Sequence, residues 1–126
     1  IIDGEMSFDK YLNVLSKVNV SVDQVFSYSL AMNALYSMAQ GKVVCGGAEN
    51  ESGILYNGEL PPAFNLRPTV NEIYDTFVHI LEHRSNLANI SDLSRYFVKK
   101  HHDGIKVAGQ YVHCWSLINP GVPSKF

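Results

Sequence analysis

The sequence predicts an α/β domain with a short, open, parallel sheet, and three observations carry that prediction. Val18, Val20 and Val22 alternate with Asn19, Ser21 and Asp23, the period-two pattern of a strand with one more apolar face. Leu30, Ala31, Ala34, Leu35, Met38 and Ala39 then recur at three-and-four spacing, a helix with a narrow apolar stripe and small residues that let it lie close to a sheet. Lys42 to Cys45 follows as a second short strand closed by Gly46-Gly47. Strand, helix and strand in that order join parallel strands in the right-handed sense. Open parallel sheets bind ligands beyond the carboxyl ends of their strands, in front of the following helix. Ser27, Tyr28, Ser29 and Leu30 fall at that place, where free backbone N–H groups and the positive end of a helix dipole suit an anion such as phosphate.

The remaining elements follow in chain order. Ile1-Ile2-Asp3-Gly4 reads as the tail of a strand, so the sequence is expected to be the C-terminal piece of something longer. Ser7 is placed to cap a helix with Phe8, Tyr11, Leu12 and Leu15 on one side, and that helix leads into the strand around Val20, expected to be central. Residues 48–62 hold three glutamates and end on Pro61-Pro62, which predicts a loop at the same sheet edge as the Ser27 turn. Ala63 to Leu66 is a candidate last strand. Thr69 and Glu72 form a capping-box pattern ahead of a helix with Val70, Ile73, Tyr74, Phe77, Ile80 and Leu81 on one face. Leu87, Ile90, Leu93 and Phe97 predict a further helix or helix pair ending near His101. Asp103 caps a last helix to about Leu117 with Val107, Ala108, Tyr111, Val112 and Trp115 expected to be buried, and residues 119–126 form a tail.

At 126 residues the chain is one domain, large enough for a core and small for a complete two-substrate enzyme. A net charge of −2 and 46% hydrophobic residues describe a globular chain and give no footprint for nucleic acid. Lys99 and Lys100 beside His101 and His102 are the one basic cluster, and cations are at home in the last turn of a helix. Cys45 and Cys114 lack metal spacing and are expected as buried thiols, which fits a reducing, cytoplasmic setting. No apolar run reaches the roughly 20 residues that span a bilayer.

Two motifs invite catalytic readings and neither holds up against its chemistry. His79-Ile-Leu-Glu82-His83 matches an inverted zinc-peptidase pattern, but such a site needs a further carboxylate ligand. After Glu82 the chain has only Asp92 and Asp103 as acids, and the three motif residues fall on the polar side of their helix. Cys45 stands at a strand end without a histidine near it in the chain, and the Gly-x-Ser-x-Gly elbow is absent. Neither a dinucleotide fingerprint nor a P-loop precedes the Ser27 turn.

Taken together, Ser29 to Gly47 resembles the C-terminal, donor-binding domain of group 1, family 4-like glycosyltransferases. Ala34-Leu-Tyr-Ser-Met-Ala-Gln-Gly-Lys-Val-Val44 is similar to that family's Leu-Glu-Ala-Met-Ala-x-Gly-x-Pro-Val stretch. Arg95-Tyr-Phe-Val-Lys-Lys-His-His-Asp103 and Val107-Ala-Gly-Gln-Tyr111 resemble the ending of many bacterial members. The resemblance implies a Rossmann-like three-layer α/β/α domain, part of a GT-B fold, spanning residues 1–118. It implies a nucleotide-diphosphate sugar as ligand, with its pyrophosphate against the helix N-terminus at Ser29, Leu30 and Ala31, and no cofactor or metal. It also implies an N-terminal acceptor domain that would supply the basic residues and any peripheral membrane contact. Where the family helix carries two glutamates for the sugar and the ribose, this chain has Tyr28 and Tyr36, which supply no carboxylate. Glu49 and Glu51 are the nearest acids to take that role, and a non-catalytic domain that keeps the fold is the alternative. Tyr36 reads equally well as packing.

Overall fold

A computed structural model of the chain describes residues 5–118. The expected strand tail at Ile1–Gly4 and the expected tail 119–126 lie outside the described residues. The element order is α1 (Phe8–Ser16), β1 (Val20–Val22), α2 (Met32–Ala39), β2 (Val43–Gly46), a 3-10 segment (Asn50–Tyr56), β3 (Phe64–Asn65), α3 (Val70–Glu82), a 3-10 turn (Arg84–Asn86), α4 (Leu87–His101) and α5 (Gly104–Ile118). The three strands form one parallel sheet in the order β1-β2-β3, with Val20 opposite Val43, Val22 opposite Cys45, and Cys45 in turn opposite Phe64. The fold is therefore mixed α/β with an open parallel sheet. Its middle strand among the described residues is β2 rather than β1, because the segment after Pro62 adds β3 on the far side.

Side-chain alternation along β2 divides the core in two. Val44 points to one face and packs with Ala34 and Met38 of α2 and Phe97 of α4, with Leu30 and Tyr56 at its margin. Cys45 points to the other face and packs with Leu66 and with Ile80 of α3, flanked by Ile73 and Phe77. Every residue of β2 is buried, as expected for a strand covered on both faces. Burial also pushes the Cys45 thiol up to about 12, so this sulfur is inert at neutral pH.

The α2–β2 junction shows how locally the sequence dictates this geometry. Gly41 sits at φ +69°, its N–H donates to Met38 O at 2.8 Å, and the Lys42 N–H donates to Ser37 O at 2.9 Å. These two bonds make a Schellman cap, which requires the left-handed residue that glycine supplies without strain. At the start of α3 the Glu72 N–H donates to Thr69 Oγ1 at 3.3 Å. The reciprocal half of the capping box is replaced, because the Glu72 carboxylate accepts from the Thr69 hydroxyl while the Thr69 N–H goes to Arg67 O. Asp103 caps α5 as expected, its Oδ1 accepting from the Lys106 N–H at 3.0 Å. Ser7 stands at the N-cap position of α1 without a side-chain bond.

Two burial expectations, both on α5, are corrected, and the apolar face of α3 is covered only in part. On α3 only Ile80 is fully buried and Val70, Tyr74 and Leu81 are exposed, because the narrow sheet covers just the Ile73, Phe77 and Ile80 stripe. On α5 no residue is buried, and Trp115 is 60% exposed. With α2 and α4 already filling one face of the sheet and α3 the other, no described element remains to cover α5. Cys114, on that helix, is consequently an exposed thiol rather than a buried one.

Candidate functional site

The carboxyl ends of the three strands converge on one edge, and most of the residues singled out from the sequence lie along it. After β1 the chain turns sharply: the Gly47 N–H donates to Gln24 O at 2.8 Å, and the Glu49 N–H donates to Tyr28 O at 3.1 Å. These bonds bring the segment after β1 against the segment after β2. Ser27, Tyr28 and Glu49 thereby line one hollow of about 270 Å³, together with Val25, Phe26 and Pro68. Phe26 and Tyr28 are 89% and 75% exposed at its rim. Beside it a second hollow of about 310 Å³ is lined by Asn65, Arg67, Glu72, Asp75 and Thr76. Each is near or below the lower end of the roughly 300–1,000 Å³ typical of small-molecule sites.

The helix N-terminus is not where the sequence pattern put it. Helix α2 begins at Met32 with Ala31 as its N-cap, so Ser27 to Leu30 form the approach to the helix rather than its first turn. Their amides are not all free. Ser27 Oγ accepts from the Ser29 N–H at 3.3 Å and donates to Ser29 O at 2.7 Å, a local turn closed by a hydroxyl. The Ala31 N–H donates to Asp23 Oδ2 at 3.2 Å. Asp23 Oδ1 accepts from Asn33 Nδ2 at 3.4 Å, and the Tyr11 hydroxyl donates to Asn33 Oδ1. A carboxylate from the end of β1 thus holds the positive end of the α2 dipole, the position that an incoming anion would otherwise take. Leu30 turns its side chain into the core beside Ala34 and Met38.

Glu49 and Glu51 have different surroundings. Arg67 grips Glu49 through two bonds, Nε to Oε1 at 3.1 Å and an Nη to Oε2 at 3.2 Å. The fork from Arg67, with the Asn65 amide beside it, holds the Glu49 carboxyl below the usual range. Glu51 is exposed on the first turn of the 3-10 segment, close enough for its charge to act on Arg67. Tyr36 stands apart from this edge group and packs edge-on against Phe8 of α1, ring centroids 5.2 Å apart. It is 38% exposed, so this contact leaves part of its ring open to solvent.

The readings set aside on chemical grounds have plain structural counterparts. His79, Glu82 and His83 are not buried, and the two imidazoles stack at 4.2 Å, with the His83 ring bonded to His79 O. Among the described residues no group of three or more histidines, cysteines or acids is arranged to hold a metal. Likewise no described helix is long and apolar enough to cross a membrane.

Sequence reasoning missed Asp23, Asn33, Arg67 and Phe26 as members of this edge. Asp23 carried a usable signal, since an acid at the end of a strand that leads into a helix is placed to cap it. Arg67 carried none, because its role depends on β3 lying next to β2. Compared with protein-family profiles, with characterised proteins and with solved structures, the chain gives no match.

Proposed function

We propose that this chain is the donor-side domain of a GT-B glycosyltransferase, one that moves a sugar from a nucleotide diphosphate to a glycan or lipid-linked acceptor. The observation that supports it is a hollow at the carboxyl edge of a parallel sheet, shared by Ser27, Tyr28 and Glu49 and rimmed by the exposed rings of Phe26 and Tyr28. An exposed aromatic rim suits a nucleobase, which stacks on such faces. The small volume suits one wall of a cleft whose other wall belongs to an acceptor domain, so the chain alone is expected to be inactive. Catalysis in this reading consists of holding the leaving diphosphate so that its growing charge meets fixed dipoles.

The Asp23 carboxylate on the Ala31 N–H favours a second reading, a non-catalytic interaction domain that keeps the fold. Tyr36 packed on Phe8 points the same way. Titration of the chain and its Asp23→Asn variant with uridine and guanosine diphosphates, followed by backbone amide shifts, separates the two. The glycosyltransferase reading expects shifts at Ser29, Leu30 and Ala31 that grow when the Asp23 charge is removed. Unmoved amides in both proteins at millimolar nucleotide would refute it and leave the interaction domain.

A further inference from the structure

The segment 48–62 carries Glu49 and Glu51 at one end and is fastened to the end of α4 at the other. Glu59 accepts from His101 Nε2 at 2.8 Å and from the Lys100 ammonium on the same carboxylate oxygen, Oε2. Below that pair Tyr56 inserts its ring among three others: Phe97 at 4.8 Å, His101 at 5.1 Å and His102 at 5.6 Å between centroids. His102 Nε2 is buried in this cluster and finds no hydrogen-bond partner among the described residues. We infer that the contact between segment 48–62 and the C-terminal end of α4 is a proton-operated latch, and that charging His102 opens it.

The physical argument is one of unequal surroundings. A neutral imidazole tolerates an apolar ring cluster, whereas an imidazolium must find solvent or an acceptor. The charged groups around His102 are mostly of the wrong sign. Lys100 and His101 stand on its own helix, and Lys106 of α5 donates to Lys100 O at 2.7 Å at the same helix end. Two carboxylates stand nearby and both are engaged: Glu59 by Lys100 and His101, and Asp103, the next residue in the chain, by the Lys106 N–H at the start of α5. Burial first, and the neighbouring His101 second, hold the His102 ring below its ordinary 6.5. Opening the latch releases that ring to water, where it takes a proton more readily. As pH falls below 6.5 the open form therefore gains, by at most about tenfold per pH unit, until the closed form also binds a proton. The Tyr56 hydroxyl, raised by burial, stays neutral throughout.

The inference does not depend on what binds at the sheet edge. Amide hydrogen exchange of the whole chain, corrected for the intrinsic pH dependence of exchange, tests it at the Gly58 and Glu59 N–H groups. These donate to Gly53 O at 2.8 Å and Tyr56 O at 3.2 Å. Their protection is expected to fall between pH 7 and 5 by up to about tenfold per unit, to stay level in His102→Phe, and to keep falling in His101→Gln. Level protection in the parent chain, or an equal fall in His102→Phe, would overturn the latch. Should His102→Phe fail to fold, the ring resonances of the parent chain decide: a His102 titration at or above 6.5 refutes it.

Discussion

Gly47 is where the sheet edge is most sensitive to one added carbon. A Cβ built there would lie 1.7 Å from the Ser27 carbonyl oxygen and 2.5 Å from its carbon, both backbone atoms with no side-chain freedom to yield. To restore ordinary contact at 3.4 Å the Ser27 peptide must retreat by about 1.7 Å. That movement stretches the 2.8 Å bond from the Gly47 N–H to Gln24 O. Overpacking costs roughly 1–3 kcal/mol and a broken backbone hydrogen bond about 1. Gly47→Ala should therefore destabilise by about 2–4 kcal/mol, which for a domain of this length lowers Tm by roughly 8–16 °C. Gly109, in mid-α5 with nothing within 4 Å of its Cβ position, is the matched control. Gly109→Ala should raise stability by up to ~1 kcal/mol, because alanine is the better helix former. Urea and thermal melts read both, and amide shifts over residues 24–31 report the displaced turn. A Gly47→Ala protein within ~0.5 kcal/mol of the parent chain, a typical neutral surface change, would mean that the Ser27 turn does not pack on β2 as described.

Three further outcomes follow from the packing and charges. Phe97→Ala empties the centre of the α2–α4–β2 cluster and takes away the ring that Tyr56 meets edge-on, so it should cost about 3–5 kcal/mol in urea unfolding. In the folded chain Ellman's reagent should label one thiol quickly, Cys114, and reach Cys45 only on unfolding; two fast equivalents would contradict the burial of β2. Glu49 is held below its ordinary 4.5 by Arg67, so its contribution is present above that value and disappears as pH falls through the lower folded one. Arg67→Gln should return the Glu49 carboxyl towards 4.5 in an NMR titration, and an unmoved midpoint would show that the fork does not form in solution.

What the sequence determined alone is the set of elements whose causes are local. Apolar period, the Thr69 and Asp103 caps and the short valine-rich strands each depend on neighbours within a few residues, so the presence of α2, β2, α3, α4 and α5 can be read directly, though not the first residue of α2. The common edge shared by Ser27, Tyr28 and Glu49 was legible too, because parallel crossovers oblige successive strand ends to share a side. Only the tertiary structure decided which apolar stripes are covered: α5 and half of α3 have faces as apolar as those of α2, but a three-stranded sheet has room for few helices. It also decided who occupies the start of α2. Asp23 lies eight residues before Ala31 in the chain, and Arg67 eighteen residues after Glu49. The Arg67 pairing depends on where strands end in space, which no spacing rule along a sequence encodes, whereas Asp23, an acid at a strand end leading into a helix, carried a local signal.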